Sequence, residues 1–335
     1  MTRPARSRPR LSGPGELLAA LPLLLGFPPR ESLVLVCLEG ERGRVGLTLR
    51  YDLPEPSLES AAVQDLAERL EAAGLRRAYA VLVTDEQAVG LPRQGLMTSL
   101  RDALPVDLVD VLLLRSDRWW SYLCDVPACC PPSGSAVPVA TPTLTLVRAE
   151  AALDGRAVLP SREALVRSLA PPALPGPHLT VLRQVQARLA DEVLQQSRRR
   201  VRRRLLLLWE RALDAASLPP AGPAAELVLG LHDVLVRDEV LTWSVGRSER
   251  LLTVLLHLAR STPAPFDGPV CTCLAWTAYA RGDGAIAQTA LDRALATDPG
   301  YSLALLLREA VDRQVPPRAL RAVGVRTAAA LRRSR

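Results

Sequence analysis

Cys124, Cys129 and Cys130 follow directly on Arg118-Trp119-Trp120-Ser121-Tyr122, and this short block holds most of the chain's recognisable chemistry. The window from residue 118 to 130 contains three of the six cysteines and two of the five tryptophans. The C-x4-C-C spacing admits three readings. Soft thiolates bind zinc, but structural zinc sites usually show paired knuckles and four ligands. A fourth ligand would have to come from Asp125 or from a distant residue. Adjacent cysteines are also expected to point apart, which makes a shared ion awkward. A disulfide from Cys124 to Cys129 or Cys130 is geometrically feasible, although a reducing cytosol opposes it. Free cysteine also packs as a small buried hydrophobe, and packing is the leading expectation here. No cofactor is predicted, with zinc as the exception to test. Cys271 and Cys273 are read as core.

The aromatic residues suit a strand, with Trp119 and Ser121 on one face and Trp120 and Tyr122 on the other. Beside Arg118 they would make a wall for stacking or for holding an anion. The blander expectation, which is preferred, is that one face packs into the core and the other covers the adjoining loop. Carboxylates follow the expected strands: Asp52, Asp85-Glu86, and Asp117 between Arg115 and Arg118. Ligands bind at strand ends in open α/β sheets. If those ends converge, Asp52, Asp85, Arg115, Arg118 and Trp119 form the candidate small-ligand site. Acids also cap and terminate elements, so the residue types alone do not decide it.

The elements that must position these groups are readable from periodicity. A helix is expected from Ser12 as cap through Pro14 towards Gly26, ended or bent at Pro22. Residues 32–38 and 44–51 read as a hairpin, 57–73 as a helix closed by Gly74, 78–84 and 108–114 as strands, and 94–104 as a helix. Alternating strands and helices imply an α/β layer with a mixed sheet and flanking helices over residues 11–170. Residues 1–10 read as a disordered basic tail. The proline-dense stretch 171–177 reads as a linker, and 178–331 as an all-α domain opening on one long helix, 179–215, that could break near its arginines. Within that domain, Trp276, Tyr279, Gly282-Asp283, Ala287, Leu291, Ala294 and Asp298-Pro299 resemble one tetratricopeptide-like hairpin. Nothing comparable lies 34 residues upstream, so a bundle piece is favoured over a peptide groove.

Composition excludes much. The 335-residue chain has 42 basic residues, all arginine, no lysine and three histidines, His178, His232 and His257. Without lysine there is no Walker A loop, kinase-type lysine or Schiff-base lysine. No G-x-G-x-x-G, G-x-S-x-G or H-E-x-x-H occurs. The net charge of +7 resides in the two tails, at Arg3, Arg6, Arg8 and Arg10 and at Arg332, Arg333 and Arg335, so the body is close to neutral. That argues against a broad phosphate-binding face. The arginine run from Arg198 to Arg204 around Val201 is the one place where nucleic acid could bind; Leu194, Leu205 and Leu208 are expected to share Val201's buried stripe. No apolar stretch is long enough for a membrane span. The segment from Leu17 to Phe27 is too short and lacks a cleavage site for a signal peptide, so a cytoplasmic location is expected.

Several blocks together resemble a known family. They are Leu17-Leu18-Ala19-Ala20-Leu21-Pro22 with Gly26-Phe27-Pro28-Pro29, Arg50-Tyr51-Asp52-Leu53-Pro54, the Arg118–Tyr122 and Cys129-Cys130-Pro131-Pro132 block, Leu159-Pro160-Ser161-Arg162-Glu163, and the stretch from Gly282 to Ser302. This pattern resembles domain of unknown function 4192 over about residues 11–317, a family found chiefly in high-GC actinobacteria. The resemblance implies no activity. The helical hairpin and the lack of recognisable catalytic machinery lead to the expectation of a non-enzymatic regulatory or scaffold protein that binds a protein partner through its helical domain. The alternatives are a small-ligand binder or enzyme at Asp52, Asp85 and Arg118, and a metal or thiol-redox module at Cys124, Cys129 and Cys130.

Overall fold

The structure is a computed structural model that describes residues 10–333 apart from 42, 154–157, 172 and 174. The basic tail expected over residues 1–10 lies almost wholly outside the described residues. Two compact units divide the chain, Met1–Arg162 and Glu163–Arg335.

In the first unit the order is α1 (Pro14–Leu25), β1 (Ser32–Glu39), β2 (Arg44–Asp52), α2 (Glu59–Ala73), β3 (Arg77–Val83), α3 (Gln94–Ala103), β4 (Asp107–Arg115), β5 (Arg118–Ser121), β6 (Ser135–Ala136) and α4 (Pro142–Leu153). The strands form one six-stranded sheet in the order β2-β1-β3-β4-β5-β6. Only β3 and β4 run parallel, as α3 carries the chain across between them; the other neighbours are antiparallel. The sheet is therefore mixed, with flanking helices.

Strand alternation assigns the two faces. Leu33, Leu35, Ala80, Leu82, Val111 and Leu113 point to one side and bury Val63, Leu66 and Leu70 of α2 with Leu96, Met97 and Leu100 of α3. Val34, Val36, Val81, Val83 and Leu112 point to the other and meet Leu17, Leu18, Leu21 and Leu25 of α1. Gly26 and Gly74 end α1 and α2 in the left-handed region at φ 81° and 63°, where glycine carries no Cβ penalty.

Two expectations change at the first helix. Ser12 is not its cap; Gly13 holds that position. The Ser12 N–H and hydroxyl instead donate to the Glu16 carboxylate at 2.7 and 2.8 Å, and Glu16 also accepts from the Thr141 hydroxyl that caps α4. Pro22 sits inside α1 without ending it.

The second unit is wholly helical among its described residues, from α5 (Arg162–Ser168) through α6 (Pro175–Gln195), α7 (Arg198–Asp214), α8 (Ala221–Gly230), α9 (Val234–Thr242), α10 (Ser248–Ser261), α11 (Asp267–Arg281), α12 (Gly284–Thr297) and α13 (Ser302–Asp312) to α14 (Pro317–Arg333). Helix α6 begins at Pro175, inside the stretch read as linker. The long helix expected over 179–215 is two helices. Ser197 interrupts it, accepting from the Arg200 N–H as the N-cap of α7. Leu194 consequently ends up 85% exposed instead of joining the buried stripe of Val201 and Leu205. Every residue of α11 from Asp267 to Ala280 is buried, so this helix is the axis around which α8, α9, α10, α12, α13 and α14 pack. The tight α11–α12 turn at Gly282-Asp283 matches the expected hairpin in outline, but a tetratricopeptide unit is not confirmed: a helix enclosed on all sides leaves no concave face.

Candidate functional site

The loop from residue 122 to 134 joins β5 to β6 and carries the three cysteines. Its position follows from β5, which hydrogen-bonds along β4 with Leu112 opposite Ser121 and Arg115 opposite Arg118. Alternation on β5 places the half-buried Trp119 against the α1 face and Trp120 and Tyr122 against the α2/α3 face. The aromatic residues are thus packing groups on both faces, and each also ties down chain.

Four contacts brace the loop. The Trp120 indole N–H donates to the Pro132 carbonyl at 3.0 Å, and its ring lies on Gly134, where an added Cβ would sit 2.4 Å from Cε2. The Arg118 guanidinium donates to the Ser133 and Gly134 carbonyls at 3.0 and 2.6 Å. The Tyr122 hydroxyl donates to the Pro92 carbonyl at 2.6 Å, and burial pushes its phenol well above the ordinary value. The Ser121 hydroxyl donates to Asp110 Oδ1 at 2.6 Å while accepting the Leu123 and Cys124 N–H groups at 3.0 and 3.1 Å. Arg115 covers the outer face of Trp120 at 4.8 Å, a cation–π contact.

Inside this frame the Val126 carbonyl accepts from the N–H groups of Cys129 and Cys130 at 3.1 and 2.8 Å and from the Cys129 thiol at 3.5 Å. The turn brings the sulfurs of Cys124, Cys129 and Cys130 to within 4.8 Å of one another. The Cys124 and Cys129 sulfurs lie 3.2 Å apart, and all three are free thiols. The expectation that Cys129 and Cys130 diverge is overturned, because the turn bends both side chains towards Cys124. Packing does not describe these residues either: Cys129 is exposed and the other two are half-buried, whereas Cys37, Cys271 and Cys273 are buried core. Asp125, the fourth ligand considered, is not part of the converging group.

The thiols are electrostatically unequal. The Cys129 thiol hydrogen-bonds to Cys124 and lowers the Cys124 pKa, helped by the Val126 backbone and by Cys130. The same interaction raises Cys129. Burial pushes Cys130 up to about 12. The cluster therefore favours a single thiolate on Cys124 held by two neutral neighbours.

The expected strand-end cleft does not assemble. Asp52 is 77% exposed and pairs with its own strand through Arg50 Nη1 at 2.5 Å. The register runs from Asp52 through Ser32, Val83 and Leu114 to Trp119. Four strand spacings separate Asp52 from the Trp119–Arg118 end, roughly 19 Å at 4.8 Å each. Asp85 is exposed; its N–H donates to Glu31 Oε1 at 3.1 Å, and its carboxylate accepts weakly from the Ser116 hydroxyl at 3.5 Å. Arg115 donates to the Glu86 carbonyl at 3.3 Å, and Arg118 and Trp119 serve the loop and the core.

The arginine run divides in two. Arg202 chelates Asp233 through Nε at 2.9 and 2.8 Å, and Arg204 bridges Glu226 and Glu192. Arg198, Arg199, Arg200 and Arg203 remain exposed.

Sequence reasoning missed Gly134 and Asp110, whose roles depend on partners 14 and 11 residues away. It also missed a cavity of about 290 Å³ in the helical unit, lined mainly by apolar residues with His178 and His257 on its wall. His257 Nε2 lies 3.1 Å from the Pro219 carbonyl. No local pattern links those two positions.

The family model "Domain of unknown function (DUF4192)" matches residues 14–318. The chain belongs to that family. No curated protein and no solved structure matches the chain significantly. For this DUF4192 chain the match embraces both units and the cysteine loop, and it carries no assigned chemistry. Among the described residues no helix is long and apolar enough to cross a membrane.

Proposed function

We propose that this DUF4192 protein is a regulatory module that binds a soft, thiophilic metal ion through Cys124, Cys129 and Cys130. The observation that carries this reading is the convergence of three sulfurs within 4.8 Å on one braced loop. Tetrahedral thiolates at a metal–sulfur distance of about 2.3 Å lie roughly 3.8 Å apart, so metal binding asks for sub-ångström to one-ångström adjustments. Soft thiolate sets select zinc and Cu(I) over magnesium or calcium. Three ligands leave one coordination position for solvent or an external donor. The bracing by Trp120, Arg118, Ser121 and Tyr122 supports the reading because a preformed loop loses less conformational entropy on binding.

The reading places the protein in a reducing cytoplasm, where the thiols stay free. Output would pass to a protein partner on the helical unit, where Leu305 and Leu306 of α13 are 46% and 64% exposed. The test is titration of the reduced full chain with Co²⁺ and Zn²⁺. Expected is one equivalent bound, with a thiolate-to-cobalt charge-transfer band that weakens in each of Cys124→Ser, Cys129→Ser and Cys130→Ser. A bound ion indifferent to all three substitutions, or no bound ion, contradicts it.

A further inference from the structure

We infer that Cys124 and Cys129 form a reversible redox couple that closes to a disulfide on two-electron oxidation by a peroxide, with Cys130 left as the unpaired thiol. The inference deepens the proposed metal site by adding its regulation. Its consequence, release of the ion, rests on that reading; disulfide formation itself does not.

Geometry selects the pair. Among the described cysteines, Cys124 and Cys129 have sulfurs 3.2 Å apart, and no disulfide links any of the six. A disulfide needs about 2.05 Å between sulfurs, so the pair must close by about 1.2 Å, a small side-chain rotation. Cys129 is exposed and Cys124 half-buried, so an oxidant reaches the pair, while Cys37, Cys271 and Cys273 are buried and shielded from it. A solvent-accessible thiol next to a resolving cysteine is the arrangement of redox-sensing sites. The loop between them also permits closure: residues 127–129 form a turn that the Cys129 N–H closes on the Val126 carbonyl, and the anchors at Ser121 and at Pro132–Gly134 lie outside the six-residue segment from Cys124 to Cys129.

The chemistry balances without a cofactor. The Cys124 thiolate attacks hydrogen peroxide; an S–O bond forms, the O–O bond breaks, and hydroxide leaves to become water with the proton that the Cys124 thiol gave up. The Cys129 sulfur then displaces the hydroxyl from the Cys124 sulfenic acid; the S–S bond forms, the S–O bond breaks, and a second water leaves with the Cys129 proton. Two thiols lose two electrons, and the peroxide becomes two waters. Two equivalents of a small thiol reverse the reaction by exchange. Closure withdraws two of the three metal ligands, since only the thiolate binds.

The test uses the reduced full chain, metal-free and zinc-loaded, treated with one equivalent of hydrogen peroxide. Expected in the metal-free protein is a mass loss of two hydrogens. The sequence offers no lysine or arginine between Arg118 and Arg148, so tryptic cleavage leaves all three cysteines on one peptide; cleavage before Asp125 separates Cys124 from the others. The linked pair should survive in Cys130→Ser; in Cys124→Ser and Cys129→Ser it cannot form, and any cross-link through Cys130 should form at least about tenfold more slowly. Thermal midpoints of the three variants, unchanged for loop substitutions, establish that each is folded. In the zinc-loaded protein, oxidation should release the ion to a chromogenic chelator, and a reducing thiol should restore binding. Oxidation to sulfinic acid without a disulfide overturns the inference, as does a cross-link that forms at the parental rate in Cys129→Ser. Zinc binding without a disulfide refutes the switch and leaves the metal reading intact; a Cys124–Cys129 disulfide in a protein that binds no zinc refutes the metal reading and supports the couple.

Discussion

Gly134→Ala should disable the cysteine loop without touching a cysteine. Gly134 has φ +76°, in the left-handed region, and an alanine Cβ there would lie 2.4 and 2.5 Å from Cε2 and Cζ2 of Trp120. The backbone contribution for a non-glycine residue in this region is about 1–2 kcal/mol. Overpacking against a fixed ring adds about 1–3 kcal/mol, for a total of about 2–5 kcal/mol. Gly74→Ala isolates the backbone part, since Gly74 has φ +63° and open space around its missing Cβ; about 1–2 kcal/mol is expected there. Urea unfolding followed by near-ultraviolet circular dichroism measures both. Relief of the clash must also move Trp120 away from the Pro132 carbonyl, which slackens the loop and should weaken zinc binding in Gly134→Ala but not in Gly74→Ala. Equal destabilisation by the two substitutions, with unchanged zinc binding, would refute the idea that Trp120 and Gly134 hold the thiols in place.

Three further outcomes follow from named contacts. In the metal-free protein a thiolate-selective alkylating agent should label Cys124 first as pH rises, because its lowered pKa keeps a thiolate at lower pH, and Cys130 last, near its value of about 12. Exposure alone would put Cys129 first, so site-resolved mass spectrometry separates the two explanations. Arg293→Met should destabilise the helical unit by about 3–5 kcal/mol in urea unfolding, because it strands a buried carboxylate; Arg293 Nε holds Asp267, 3% exposed, at 2.8 Å, while its other nitrogens serve the Leu169, Ala259 and Thr262 carbonyls. A loss below that of an ordinary surface pair would show the contact to be dispensable. Arg199→Glu should stabilise the protein by about 0.3–1 kcal/mol in the same assay, since an exposed arginine in the first turn of α7 opposes the helix dipole and a carboxylate complements it; a destabilisation would mean the arginine cluster has a structural partner.

The layered sheet was legible because its signals are local. Residues 33, 35 and 37 alternate with 34 and 36, and the two sets serve opposite helical layers. Gly26 and Gly74 mark helix ends through their own backbone requirement. The two-residue strand β6 was not legible, since nothing in Ser135-Ala136 encodes it; it forms because Trp120 and Arg118 anchor the chain just before it. The cleft expected at Asp52 failed because alternation does not reveal strand order. The β1–β2 hairpin puts β2 at the far edge, away from β5. The cysteine block was visible as a cluster, but its convergence depends on one carbonyl, that of Val126, accepting from both Cys129 and Cys130. Spacing alone pointed the other way, towards divergent side chains.

X-ray absorption at the zinc edge on the reduced full chain with one equivalent of zinc tests the three-thiol site most directly. Three sulfur scatterers at about 2.3 Å, falling to two in each single Cys→Ser variant at 124, 129 or 130, are expected. A first shell of oxygen and nitrogen alone, or one that keeps three sulfurs in those variants, would contradict the assignment of the loop as a metal site.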